Sequence, residues 1–179
     1  MSAAAMTLDT RELRRTLGCF ATGVTVVTTL DSDGRPRGMT ANSFTSVSLD
    51  PALILVCVAK SAPIMAVLEK AAGFVVNILE EQQRDLSQRF ATPGIDKFHG
   101  VDWRAGSTGA PILAETLAHL DCGMHQRVDA GDHVILIGQV VDFARNEAAP
   151  LLFCRGNYAA VADPAFQLPT APLQSGAVG

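Results

Sequence analysis

Seven small polar residues, Thr40, Asn42, Ser43, Thr45, Ser46, Ser48 and Asp50, crowd the stretch GMTANSFTSVSLDP at positions 38–51. A solvated strand edge also carries hydroxyls, but it ordinarily mixes them with Lys or Glu. Neither occurs here, so the stretch suits main-chain N–H groups and hydroxyls that face a planar, hydrogen-bonding ligand at close range. A plain Ser/Thr-rich loop is the competing reading. Asp132-His133 follows Gly131 at the start of an apolar run. It is either the end of a hairpin turn over 129–132 or a polar tip at the mouth of a barrel. Lys60 and Ser61 follow the apolar run Ala52 to Ala59, and a helix starting beside them would offer a phosphate both free N–H groups and a favourable dipole.

His119-x-x-Cys122-x-x-His125 has the look of a metal cluster. Its flanks favour a strand, on which the two histidines share one face about 20 Å apart while the cysteine points the other way. One ion cannot join them, and no metal site is expected. GxGxxG, GxxxxGK[ST] and GxSxG are all absent, so a dinucleotide would not be held by a Rossmann phosphate loop, nor is a serine hydrolase indicated. Four cysteines, Cys19, Cys57, Cys122 and Cys154, lie far apart without a CxxC pair and are expected as buried free thiols.

These residues need a scaffold, and the chain's periodicities supply one. Leu13, Leu17 and Phe20 fall at helical spacing within 7–20, with Asp9 or Thr10 as N-cap. GVTVVTTL (23–30), turn residues 31–34 and the extended run 37–44 predict a hairpin. Further strands are expected at 52–59, 73–79, 117–128, 133–144 and 151–154, with helices over 62–71 and 80–90. Residues 91–111, rich in Gly, Pro, Thr and Ser, predict a long surface loop of the kind that often forms lids. Six or seven strands in mainly hairpin order, without regularly alternating helices, favour a mainly β fold, an antiparallel barrel with a few short helices.

The 179 residues are 48% hydrophobic and 18% charged, enough for one domain with its own core. It is expected over 1–162, with a tail over 163–179 that is flexible or packed on a partner subunit. A formal charge of −4 and the lack of any basic run argue against nucleic acid or an anionic membrane as partner. The longest clean apolar run is eight residues, against about 20 for a spanning helix. The N-terminus lacks a secretory pattern, and a cytoplasmic protein is expected. Mean hydropathy of +0.23 hints that a second copy covers apolar surface.

Taken in register, Phe20-Ala-Thr-Gly-Val-Thr-Val-Val-Thr28, Thr40-Ala-Asn-Ser-Phe-Thr-Ser-Val-Ser-Leu-Asp-Pro51, Arg89-Phe-Ala91, Lys97-Phe98, Gly131-Asp-His133 and Gly138-x-Val140 resemble the short-chain flavin reductases, the reductase components of two-component flavin-dependent monooxygenases. The resemblance implies a split β-barrel, Greek-key-like homodimer that binds FAD or FMN, oxidises NADH or NADPH and passes reduced flavin to a monooxygenase. It implies a ring bed from Thr40, Ala41, Asn42, Ser43, Ser46, Val47 and Ser48, and a ribityl and phosphate contact from Cys57, Ala59, Lys60, Ser61 and Ala62. Arg89 and Phe90 resemble the adenine-side contact, His133 the histidine near the nicotinamide, and Arg155 to Tyr158 the segment closing over the dinucleotide. Pro51-Ala52 replaces a frequent Pro-Pro pair, and Cys154 and Asn157 fall in a variable stretch. Reduction of iron or a corrinoid on the same barrel, or a flavin- or haem-binding module without catalysis, are the alternative readings.

Overall fold

β-Branched and aliphatic runs become strands, as their propensities require. The computed structural model describes residues 8–162. In chain order these form α1 (Thr10–Leu17), β1 (Thr22–Gly23), β2 (Thr25–Leu30), β3 (Pro36–Ala41), β4 (Thr45–Leu49), β5 (Ala52–Ala59), α2 (Met65–Leu68), β6 (Gly73–Ile78) and α3 (Arg84–Ala91). There follow β7 (Trp103–Ala105), β8 (Pro111–Leu113), β9 (Ala118–Ala130), β10 (His133–Arg145), β11 (Leu152–Cys154) and β12 (Asn157–Ala159).

The main sheet runs β3-β2-β6-β9-β10-β5-β4 with antiparallel neighbours. Its two outermost strands, β3 and β4, are consecutive in the chain and joined by residues 42–44, yet they form no ladder with one another. The sheet therefore curls until its edges approach without hydrogen-bonding, which is a split antiparallel barrel. Val27, Val56, Val58, Phe74 and Leu136 fill its interior, and Ile64, Met65 and Leu68 plug one opening. A Cβ at Gly138 would stand 2.7 Å from both Cys122 Cβ and Phe74 Cζ, so only glycine lets β10 approach there.

A second apolar cluster, with Val24, Leu79, Phe90 and Leu151, lies beneath α3. Buried Asn77 ties the β7–β8 ribbon to the barrel: its amide donates to Val26 O at 3.1 Å and its Oδ1 accepts from Leu113 N at 2.9 Å. Buried Asp121 does the same for the ribbon's turn by accepting from Thr108 N at 3.1 Å.

Several sequence expectations are corrected. The first helix is confined to Thr10–Leu17, capped by Asp9 Oδ1 accepting from Arg11 N at 2.8 Å, and none of its residues is buried. The helix expected over 62–71 shrinks to one turn at Met65–Leu68, since Pro63 disfavours helical geometry in the residue before it. The 91–111 loop contains β7 and leads into β8, whose Ile112 and Leu113 are buried. β12 was not anticipated. Arg155 and Gly156, with φ of 50° and 79°, turn β11 back onto it, the backbone of a two-residue hairpin with both positions left-handed. Of the four thiols, all free, only Cys122 is buried; Cys57 and Cys154 are half-buried and Cys19 is exposed. No described helix is long and apolar enough to cross a membrane, and the tail expected over 163–179 lies outside the described residues.

Candidate functional site

The curl of the sheet brings most of the singled-out residues onto one rim. Ala41 ends β3, and the following Ser43 crosses to β5, where its hydroxyl accepts from Cys57 N at 3.0 Å and donates to Cys57 O at 2.8 Å. Two residues further along β5, Ala59 pairs with His133 at the start of β10. In the other direction Thr40 Oγ1 donates to Ser87 O at 2.6 Å on α3, and Ser87 Oγ shares a 2.8 Å hydrogen bond with Tyr158 OH. Tyr158, Ser87, Thr40, Ser43, Cys57, Ala59 and His133 thus form a connected series across the barrel mouth.

Two expectations about this rim change. The hydroxyls of Thr40 and Ser43 hold neighbouring backbone and do not face outward for a ligand. What the 41–43 turn can present is main chain and the exposed Asn42. No helix begins at Ser61 either: Lys60 N donates to Asp132 O at 2.9 Å and Ala62 N to Ala59 O at 2.9 Å, with the helical turn starting only at Met65. Lys60 Nζ instead pairs with Asp129 across the hairpin, at 2.7 Å.

Ser46, Val47 and Ser48 lie on β4, which is an edge strand after all, with Ser46 and Val47 exposed at a register shift. Ser46 pairs with Ile54, roughly 10 Å down β5 from Cys57. These three therefore stand apart from the rim.

Beside the rim a groove of about 610 Å³ is walled by Gly38, Met39 and Thr40 of β3, Ala62 and Ile64 before α2, and Phe90, Lys97 and Phe98. A Cβ on Gly38 would meet Phe90 Cε1 at 2.6 Å. Half-buried Lys97 donates to Phe90 O at 2.6 Å and Gly38 O at 3.3 Å, and burial holds its pKa below the usual lysine value. Two carbonyls leave one of its three N–H donors for a ligand. Sequence reasoning noticed Lys97-Phe98 without assigning them to the site. A lysine in a Gly/Pro-rich stretch reads as solvated, and only the fold turns it inward.

Arg89 does not line the groove; its guanidinium donates to His99 O at 2.8 Å and pins the loop. His133 Nδ1 lies 2.7 Å from Asp132 Oδ1, and this contact holds the Asp132 carboxyl below its ordinary pKa. The bond leaves Nε2 available. Arg155 borders a separate hollow of about 570 Å³ with Arg11, Arg14 and Arg15 of α1. Arg14 also acts on the Asp132 carboxylate, so this basic surface adjoins the His133 end of the rim. Burial raises the Cys57 thiol pKa, which makes it a poor nucleophile.

Of the His-x-x-Cys-x-x-His residues, His119 is buried near Asp121, Cys122 is inside the barrel and His125 is exposed. The register shift between Ile137 and Gly138 leaves His125 without a partner on β10. Among the described residues no three His, Cys, Asp or Glu side chains gather as a metal-binding group.

Comparison with known proteins identifies the architecture. Residues 17–162 match the family described as flavin reductase like domain. A probable flavin reductase of Rhizobium meliloti is 50% identical over 150 residues, covering 84% of this chain and 48% of that protein. The chain thus spans about half the length of that relative. The flavin-dependent monooxygenase reductase subunit HsaB of Rhodococcus jostii is 42% identical over 159 residues, 88% of this chain and 81% of that one. The Streptomyces globisporus NADH:FAD oxidoreductase SgcE6, solved in complex with NAD and FAD fragments, superposes with a TM-score of 0.84 at 42% identity, covering 92% of this chain and all of the other. Sequence, strand order and superposition agree, and the chain belongs to the family of flavin reductase like domains.

Proposed function

We propose that this protein is an NAD(P)H:flavin oxidoreductase that reduces FAD or FMN and hands diffusible reduced flavin to a separate monooxygenase. The observation that carries this reading is the coincidence of rim and groove on a chain whose relatives are named as NADH:FAD oxidoreductase and monooxygenase reductase subunit. Reduction of another acceptor, or mere binding, draws no support from those relatives.

The donor set fits a flavin. The groove of about 610 Å³ has apolar walls, with the Phe90 ring seated against Gly38, and a cation with an unused donor at Lys97. Bound flavin supplies the hydride-accepting chemistry, and the chain supplies position. The 41–43 turn, clamped by Ser43 on Cys57, offers N–H groups whose orientation needs no rearrangement, the condition under which dipoles best stabilise developing charge. Ala62, which lines the groove, Ser61 beside it and Lys97 hold the ribityl and phosphate portion, Lys60 being engaged by Asp129 and Asp132, and Phe90 supports the ring side. Ser46, Val47 and Ser48 contribute only as part of the β4 edge. Asp132 orients His133, which directs the nicotinamide through Nε2, and Arg155 and Tyr158 flank the dinucleotide. Arg89 acts by fixing the 99 loop.

The active unit is a homodimer of the 1–162 domain in the cytoplasm. The outer face of β5 and β10 is largely aliphatic, with Leu53, Leu55, Ile135 and Ile137 half-buried beside the exposed Gln139. An antiparallel sheet facing water alternates apolar with polar residues; this one does not, and a second copy would cover it.

The test is NAD(P)H consumption by the purified chain with FAD or FMN added. Oxidation that depends on added flavin is expected. Its absence with both flavins and both nucleotides removes the proposal.

A further inference from the structure

Two of the four thiols take no part in the rim or the groove, and the backbone holds them side by side. Cys19 follows α1, and Cys154 ends β11. β11 runs antiparallel to β1 with Thr22 opposite Phe153, and beyond that ladder Arg155 N donates to Gly18 O at 2.7 Å. This bond joins the peptide unit of Cys154 and Arg155 to the peptide unit of Gly18 and Cys19. A Cβ built on Gly18 would stand 3.8 Å from Arg155 Cα, so Gly18 faces Arg155 and Cys19 faces Cys154.

The sulfur of Cys154 already reaches across, to 3.9 Å from Gly18 O and 4.0 Å from Cys19 O. A carbonyl oxygen is about 2.4 Å from the Cα of its own residue, which puts Cys154 Sγ within about 6.4 Å of Cys19 Cα. Opposed residues of bonded antiparallel segments have Cα atoms about 4.5–5.5 Å apart, inside the range of about 4.4–6.8 Å that a disulfide spans. Only Cys19 has to turn. Its Sγ now donates to Arg15 O at 3.5 Å, a weak bond on an exposed residue, and exposed side chains change rotamer within nanoseconds.

Cys19 also lines the open hollow of about 570 Å³ beside Arg155, where a small oxidant reaches it. The other two thiols are placed differently: Cys122 is inside the barrel and Cys57 is half-buried on β5. Burial raises the pKa of both, and the thiolate is the form that reacts. We propose that peroxide converts Cys19 and Cys154 into a reversible disulfide, a staple between the end of α1 and the β11–β12 hairpin. The Cys19 thiolate attacks hydrogen peroxide, breaks its O–O bond, becomes a sulfenic acid and releases hydroxide. The Cys154 thiolate then attacks that sulfur, the S–S bond forms, and a second hydroxide leaves. The two hydroxides take up the two thiol protons, so two thiols and one peroxide give one disulfide and two waters. The sulfurs lose one electron pair and the peroxide oxygens gain it. Free reduced flavin makes peroxide wherever it meets dioxygen, and reagent peroxide serves equally. The bond encloses nearly all of the described chain, and a loop that long restricts the unfolded state most.

The experiment treats the full reduced chain with stoichiometric hydrogen peroxide and maps its peptides by mass spectrometry. A loss of two hydrogens, a peptide joining Cys19 to Cys154 and full reversal by dithiothreitol are expected, with Cys57 and Cys122 unmodified. The oxidised chain should melt about 5–15 °C above the reduced one. Cys154→Ser should stop at a sulfenic acid on Cys19, trapped by dimedone, and Cys19→Ser should give no joined peptide. A lasting sulfenic acid on Cys19 of the wild type, a bridge to Cys57 or Cys122 or between two chains, or a Tm no higher after oxidation would overturn the proposal. So would a pair that stays reduced. The wild-type map carries the test if a variant fails to fold, and no readout depends on flavin reduction.

Discussion

Ser43→Ala separates two roles that a hydroxyl on the rim could have. The β4–β5 ladder ends at the pair Thr45 and Leu55. Two residues on, at Cys57, the N–H and C=O on that side of β5 meet the Ser43 hydroxyl instead, at 3.0 and 2.8 Å. Removing the oxygen leaves a donor and an acceptor without partners. Each such bond is worth about 0.5–1.5 kcal/mol net. Both residues are half-buried, so water recovers part of the loss and about 1–2 kcal/mol is expected. For a domain of this size that lowers Tm by about 2–8 °C. The 42–44 connection would also loosen, raising the KM for flavin. Thermal melts of the wild type, Ser43→Ala and the exposed-hydroxyl control Ser46→Ala provide the assay, with flavin KM measured in parallel. If Ser43→Ala lost flavin affinity while its Tm stayed at the wild-type value, the hydroxyl would be a ligand contact and the strand-clamp argument would be refuted.

His133→Ala should raise the KM for the nicotinamide nucleotide about tenfold, the worth of one hydrogen bond, with a much smaller change for flavin. Steady-state kinetics giving equal changes would contradict its assignment to the nucleotide. Ile137→Lys places a charge in the aliphatic outer face and should halve the mass seen by sedimentation; a wild-type chain that already sediments as a monomer would refute the dimer. Burial, with help from Asp121, pushes the Cys122 thiol from 9.0 up to about 12. The folded chain keeps this proton where the unfolded chain loses it, so stability falls as pH rises above 9.0 toward 12, by about 1.4 kcal/mol per unit. Denaturant melts of Cys122→Ala should lack that part of the alkaline decline, and an unaltered slope would show that the thiol is not the group responsible.

The strands were legible because their evidence is local. TVVTTL and ALILVCVA carry β-branched or aliphatic side chains in runs too short for buried helices, and Asp31 to Gly34 or Gly131-Asp132 mark the turns between them. The hairpin at Arg155-Gly156 was legible in principle, since a left-handed pair often ends in glycine, but its strands of three residues offer no periodicity to detect. Partners across the fold were not legible. That Ser43 would meet Cys57, or Thr40 meet Ser87, depends on how far the sheet curls, which is a property of all seven strands together. The same curl carries Lys97 under Phe90 and leaves Arg89 facing the loop.

The hydroxyl-rich stretch runs from the rim to the β4 edge, and its composition has a different physical reason at each end. By composition alone, its scarcity of Lys and Glu argues against an edge that faces water. β4 is in fact an edge, with Val47 and Leu49 exposed at 48% and 94%, and an edge without charges is a surface open to pairing or packing with another chain. One compositional feature thus serves two ends of the segment. On the proposed function, residues 41–43 keep side chains small where main chain would face a ligand, and residues 45–49 keep them uncharged where a second subunit would pack. A lysine in either half would fail differently: in the first by filling the rim, in the second by charging the contact.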